Sequence, residues 1–269
     1  MIGPWQAVVL GVVEGLTEYL PISSTGHLIL VSSWLGLSEE GVKTFEVVIQ
    51  AGAVAAVLGL YRARVRSMIL GLWGRDGEGR ALLGNLALSF LPAAAVGLLL
   101  HDVIKARLFG VGPVLLALAL GGAVMIVAER GLTREAHTST RTLASLRSRD
   151  ALLIGLAQCL ALWPGMSRAM VTILAAMLLG LPPVVAAEYS FLLALPTLGA
   201  AAALDFAQHG SLLFEAVSPG TALCGFATAA LVAALAVQSF VRYLTRRGLE
   251  PFGWYRLGLA GVVWWSRAG

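Results

Sequence analysis

Residues 14–27 read E-G-L-T-E-Y-L-P-I-S-S-T-G-H, a cluster of carboxylates, hydroxyls and one imidazole inside apolar sequence. Glu14 and Glu18 are four apart, so on a helix they share one face. Pro21 interrupts that helix, because it lacks an N–H and crowds the preceding turn. Ser23, Ser24 and Thr25 follow as natural helix starters. A second stretch, W-P-G-M-S-R at 163–168, repeats the logic with Ser167 and Arg168 after a Pro-Gly break. If the two breaks meet, two helix N-termini converge, and their free amides and positive ends form an anion site. Arg168 adds a fixed charge and a planar fork suited to phosphate oxygens. Ser23, Ser24, Thr25 and Ser167 add hydroxyl donors. Glu14 and Glu18 would repel a bare anion. They suit a divalent cation that bridges carboxylates and phosphate, Mg2+ first and Ca2+ as the other hard candidate. His27 stands one turn after Ser24, placed to act as its base or as proton donor to a leaving group.

Each of these residues also has a plainer use. The two glutamates could be a structural pair, Arg168 a counter-ion to one of them, and His27 a packing residue. The serines could be helix caps alone. Tyr19, Trp163 and the pair Trp264 and Trp265 suit packing or interface belts better than binding.

The elements that must position these groups are helices in a bilayer. Hydrophobic residues make up 58% of the 269-residue chain and charged residues only 13%, with mean hydropathy +0.83. That exceeds what a soluble core needs and suits a polytopic membrane protein. A spanning helix takes ~20 apolar residues. Six segments approach this, at 45–61, 81–100, 111–128, 184–204, 221–241 and 252–265. Two more, 4–37 and 151–181, are broken at Pro21 and at Pro164-Gly165, and each half is too short to cross. Broken apolar segments in corresponding places point to re-entrant hairpins around a binding site. The expected fold is all-α: six transmembrane helices plus two re-entrant helical hairpins in one polytopic domain over 1–269.

Arginines at 62–80, 130–149 and 242–247 mark cytoplasmic connections by the positive-inside rule. The connections near Asp102 and at 205–215 carry less positive charge and should face out. The crossings alternate correctly only if both broken segments are hairpins. The first then opens outside and the second inside. Three spans plus one hairpin per half make the halves, about 1–130 and 150–269, inverted repeats. Placing Pro21 on Pro164 puts Ser24 on Ser167 and Thr25 on Arg168. It leaves Leu35-Gly36-Leu37 one residue out of step with Leu179-Gly180-Leu181, and sets Ala157 and Ala161 opposite the glutamates.

The net charge of +4 sits in short loops. It encodes orientation more simply than nucleic-acid binding, and no nucleic-acid partner is expected. Cys159 and Cys224 lie in apolar stretches and read as buried thiols. No cysteine or histidine spacing suggests zinc. No cleaved signal peptide is expected, since residues 1–4 lack a basic region and Glu14 falls where its apolar core would be.

At these residues the chain resembles the undecaprenyl-diphosphatases of the BacA/UppP type, integral membrane enzymes of bacteria. The first motif carries E-x-x-x-E and P-x-S-S-T-G-H intact. The second, P-G-M-S-R-A-M-V-T, resembles P-G-x-S-R-S-G-x-T and departs at Ala169 and Met170. The segments F-E-V-V-I-Q-A-G-A at 45–53 and A-A-E-Y-S-F-L-L-A-L-P at 186–196 are similar as well. The resemblance implies hydrolysis of undecaprenyl diphosphate to the monophosphate carrier of peptidoglycan synthesis, with bacitracin resistance. It implies catalytic roles for Glu18, Ser24, His27 and Arg168. Phosphate contacts fall to Ser23, Ser24, Thr25, Ser167 and Arg168, and a divalent metal to Glu14 and Glu18. It implies the bacterial inner membrane, with a site open to the periplasmic side. The partners are a polyprenyl diphosphate lipid, the bilayer and, as an open matter, a second copy in a homodimer. Ser24 and a water remain alternative nucleophiles. A lipid-phosphate flippase and a non-catalytic receptor remain alternative functions, and phosphate release by the purified protein separates them from a hydrolase.

Overall fold

Prolines and hydroxyl residues set many of the helix starts. The computed structural model describes residues 2–37, 39–108 and 110–268, with side chains described outside 39–44, 132–137, 206, 208–216 and 267–268. Pro4 opens α1 (Pro4–Thr17), where its missing N–H is no loss. Ser23 caps α2 (Ser24–Trp34), accepting from the Gly26 amide. The chain continues through α3 (Glu39–Leu60), α4 (Arg62–Leu72), α5 (Gly77–Leu99), α6 (His101–Leu108) and α7 (Val111–Thr138). Asp76 caps α5 through the Gly79 amide at 2.8 Å and takes the Ser67 hydroxyl at 2.6 Å. The second half holds α8 (Ser148–Gln158), α9 (Arg168–Leu178), α10 (Pro183–Ala216), α11 (Pro219–Leu244) and α12 (Glu250–Ala268). Ser167 caps α9 as Ser23 caps α2, and Ser218 with Pro219 opens α11. Among the described residues there is no strand.

The all-helical membrane architecture is as expected, with refinements. Four helices are long and apolar enough to cross alone: Gly77–Leu99, Val111–Gly131, Pro183–Asp205 and Pro219–Leu244. Phe45–Leu60 qualifies together with Arg62–Leu72, beyond an 83° bend. The sixth expected span is helical as part of α12, but it carries Arg256 near its middle and falls short of the same apolar standard. Much of the basic connection expected at 62–80 is itself helix, as α4 and the start of α5. The connection expected at 205–215 is drawn into the end of α10, and most of its side chains lie outside the described ones.

Both broken segments are broken where the prolines stand. Helix gives way to turns after Thr17 and restarts at Ser24; it gives way after Leu162 and restarts at Arg168. The structural register between the halves differs by one residue from the alignment on prolines. Among the described residues Ser23 (φ 73°) and Ser167 (φ 72°) are the two non-glycine residues with positive φ, each capping a helix. Gly36 (φ 66°) and Gly180 (φ 84°) close those two helices. Both pairs are 144 residues apart, so the slip at Leu-Gly-Leu disappears. Gly165 now stands opposite Pro21, Arg168 opposite Ser24, and Gln158 and Leu162 opposite the glutamates. The extra residue is absorbed in the second turn.

Packing follows the same correspondence. In the first broken segment α1 lies on α11 and in the second α8 lies on α5, while α3 and α10 pack on each other. Glycines allow these approaches. A Cβ on Gly15 would sit 2.6 Å from the Ala229 carbonyl oxygen, and one on Gly155 would sit 2.6 Å from that of Ser89. In a bilayer, where lipid is as apolar as the helices, such close backbone contact is the main cohesive force.

Candidate active site

The last turn of α1 delivers the carboxylates. Glu14 is fully buried, and the Glu18 amide closes on its carbonyl at 2.9 Å, so the two lie one turn apart as the spacing requires. The start of α2 presents Ser24, whose hydroxyl donates to Glu18 Oε2 at 2.5 Å. The start of α9 presents Arg168, whose Nη2 donates to Glu18 Oε1 at 3.0 Å. One carboxylate therefore joins the two breaks, across 150 residues of chain. Both side chains of this ion pair are largely removed from solvent, 11% exposed for Arg168 and 7% for Glu18. Such a pair is costly to break from one side, ~3–5 kcal/mol, because the partner is left charged and dry.

Arg168 has further anchors. Its Nη1 donates to the Ser190 carbonyl at 2.8 Å and to the Ser190 hydroxyl at 3.4 Å. Thr172 and Ser190 share a hydrogen bond of 2.7 Å behind it. The guanidinium lies 5.7 Å from the centre of the Tyr19 ring, within cation–π range. Its Nε is buried and has no acceptor. The fork is thus held by Glu18, Ser190 and the Tyr19 ring, with the Nε donor unpaired.

His27 is placed differently from the expected Ser24 pairing. Its Nδ1 lies 2.7 Å from the Ser23 carbonyl and its Nε2 2.7 Å from the Tyr255 hydroxyl. A carbonyl only accepts, so Nδ1 carries the proton, and Nε2 of the neutral ring accepts from Tyr255. The two rings are stacked 5.7 Å apart. The Ser24 hydroxyl points to Glu18 instead.

Ser23 and Ser167 are buried and occupied as caps, accepting from the Gly26 and Met170 amides at 3.4 and 3.3 Å. Thr25 sits half-buried in the first turn of α2. Ala169 and Met170 are buried in α9. Met170 extends toward α7, ending where a side chain on Gly121 would start.

The polar atoms left without partners suit a divalent cation. Both oxygens of Glu14 are buried without a donor, and an ionised carboxylate in that state is expensive unless a cation completes it. Among the described residues no group of three or more His, Cys, Asp or Glu gathers for a metal. Two carboxylates with phosphate oxygens and water completing the shell are what Mg2+ accepts, so the residues fit that cation. Glu46 of α3 lies within electrostatic reach of Glu14.

Sequence reasoning missed Ser190, Tyr255 and Arg256. An arginine inside an expected span is itself the signal that could have found the last, since ionisable groups at membrane depth carry function by default.

Comparison with known proteins gives one answer. Residues 7–262 match the family described as bacitracin resistance protein BacA. A protein of Sorangium cellulosum (strain So ce56) named undecaprenyl-diphosphatase is 49% identical over 97% of this chain and 85% of its own length. One of Paraburkholderia xenovorans (strain LB400) named undecaprenyl-diphosphatase 1 is 45% identical over 96% of this chain and 93% of its own.

Proposed function

The chain belongs to the BacA family of bacitracin resistance proteins, and from that premise we propose how it works. It is a multi-pass membrane phosphatase that hydrolyses undecaprenyl diphosphate to undecaprenyl phosphate and inorganic phosphate. The observation that carries the mechanism is the Glu18 carboxylate held between the Ser24 hydroxyl and Arg168.

Ser24 Oγ attacks the terminal phosphorus, and its proton passes to Glu18 Oε2, already 2.5 Å away. The lipid monophosphate leaves, and water then releases phosphate from the serine. Arg168 binds the phosphate oxygens with its fork. The diphosphate competes with Glu18 for that guanidinium. As Arg168 turns to phosphate, Glu18 Oε1 is released while Oε2 keeps the Ser24 hydroxyl. Glu14, with Glu18 as the second carboxylate, would hold the cation, whose bound charge neutralises the developing negative charge on phosphate. His27 and Tyr255 form the proton relay for the leaving oxygen and for the water of the second step. Thr25 and the amides at the start of α2 and α9 complete the phosphate cradle.

The two halves are read as inverted repeats, about 1–130 and 150–269, and the site as opening toward the periplasmic face of the inner membrane. The features matched 144 residues apart support that reading. They also support a second function, movement of the lipid phosphate between leaflets, because inverted repeats around a central site are transporter architecture. The experiment is phosphate release from undecaprenyl diphosphate by purified protein in detergent with Mg2+. Turnover is the expected result; a pure transporter or receptor would release none.

A further inference from the structure

Arg256 on α12 has the bulkiest of the fully buried side chains, with no exposure to solvent. Its guanidinium has five N–H groups, and each meets a backbone carbonyl. Nε donates to Leu118 at 3.3 Å and Nη2 to Ala117 at 3.1 Å, both on α7. Nη1 donates to Pro21 at 3.2 Å, in the first break. Nη1 and Nη2 donate to Met166 at 3.0 Å and Gly165 at 2.8 Å, in the second. No donor is left for a carboxylate or for substrate. Pro21 and Gly165 are the residues that correspond between the halves, so one side chain holds the same carbonyl of both breaks.

Room for it has been made. A Cβ on Gly121 of α7 would lie 2.1 Å from Arg256 Nη2. A charge buried this way, without a carboxylate, is expensive at membrane depth, and a helix-to-helix contact alone does not require it.

The consequence is orientation. In a planar trans peptide the carbonyl and the following N–H point opposite ways. With the Met166 carbonyl held by Arg256, the Ser167 N–H is turned to the far side, at the head of α9. The next residue is Arg168, which reaches Glu18. In the first break, Ser24 follows Pro21 by three residues and reaches the same carboxylate. Arg256 therefore fixes both backbones just behind the Ser24–Glu18–Arg168 bridge.

We propose that Arg256 is the positioning residue of the phosphatase site, clamping both breaks so that Ser24 and Arg168 stand at reacting distance. It does not itself touch substrate. This rests on the hydrolase reading above. A misplacement of ~1 Å at a reacting centre costs on the order of a hundredfold in rate, which sets the expected effect.

The test uses full-length Arg256→Met, Arg256→Lys and Gly121→Ala in detergent. Each is measured for Tm, for kcat and KM on undecaprenyl diphosphate, and for amide hydrogen exchange. Arg256→Met should lower kcat about a hundredfold with little change in KM. Lysine, with three donors in place of five, should restore part of it. Gly121→Ala keeps the charge but displaces the guanidinium, and should behave like Arg256→Met. Exchange at residues 20–27 and 163–171 should rise together, while α3 and α11 stay protected. A folded Arg256→Met with kcat within about threefold of wild type overturns the proposal. So does a rise at one break only, or activity losses that simply track Tm across the three variants. If Arg256→Met does not fold, Gly121→Ala decides on the same criteria. If the wild-type protein releases no phosphate, the hydrolase reading falls, while the paired exchange response still tells whether Arg256 clamps both breaks.

Discussion

Replacing Arg168 by lysine separates a phosphate clamp from a counter-ion. Lysine keeps the charge, so a residue needed only to neutralise Glu18 should tolerate the change. It loses the fork. Arg168 now spans Glu18 on one nitrogen and Ser190 on the other, at 3.0 and 2.8 Å, with Nε spare. A single ammonium cannot hold that pair of anchors in the same geometry while also meeting a phosphate. Loss of one oriented donor to a transition-state oxyanion costs about 2.7–4 kcal/mol, or a hundredfold to a thousandfold in kcat. The ion pair is retained in kind, so the Tm should stay close to wild type. The assay is steady-state phosphate release from undecaprenyl diphosphate at saturating Mg2+, with Tm and size-exclusion profile taken on the same preparations. We expect kcat/KM for Arg168→Lys to fall at least about a hundredfold, and Arg168→Ala to fall further and lose stability. A lysine variant near the wild-type rate would refute the clamp and shift phosphate binding to the amides at the start of α2.

Chelation should abolish turnover and Mg2+ restore it. Glu14→Gln should lower kcat on the order of a hundredfold while leaving Tm unchanged or higher, since it removes an unpartnered buried charge; wild-type turnover in excess chelator would rule the glutamates out as metal ligands. Ser24→Ala should lower kcat by roughly 10^6-fold, as loss of a nucleophile does, and acid quenching with labelled diphosphate should trap phosphate on wild-type protein only. A loss of about tenfold with no trapped phosphate would assign the attack to water. Single cysteines near residues 2 and 268, in a background without Cys159 and Cys224, should both react with an impermeant thiol reagent in spheroplasts; labelling of one terminus alone would turn a hairpin into a span. The Gly79 amide and Ser67 hydroxyl hold the Asp76 carboxyl below its ordinary value, so its cap stabilises above that ordinary pKa and is lost as pH falls through the lowered one. Asp76→Ala should therefore lower Tm at pH 7 with activity unchanged and narrow the gap at acid pH; an equal Tm at pH 7 would refute the cap.

The chemistry was legible because membrane sequence makes polar residues conspicuous. Glu14, Glu18, Ser24 and Arg168 stand out against apolar neighbours, and the two prolines mark the breaks. The pairing among them was less so. The spacing of Ser24 and His27 fits one helical turn, yet the positive φ at Ser23 turns that carbonyl onto His27 and sends the Ser24 hydroxyl back to Glu18. Matching the prolines sets the halves one residue away from the register of the helix caps and closing glycines, because the caps rather than the prolines fix where each helix starts. Arg256 is hard to single out in the sequence because the apolar content of 252–265 reads as a span. Its five acceptors are all main-chain carbonyls, which no side-chain pattern announces.

The bridge through Glu18 also constrains how the protein is made. The first hairpin leaves the ribosome with both carboxylates, long before Arg168 exists to meet one of them. It must enter the bilayer holding groups that cost ~2.5–3.5 kcal/mol each at its centre. The anchor for both breaks is on α12, which follows both breaks and α11 in chain order. With Arg256 as the clamp proposed above, both breaks lack their common anchor until α12 is in place. Assembly of the site therefore waits on α12, because the Pro21, Gly165 and Met166 carbonyls meet the Arg256 donors only there.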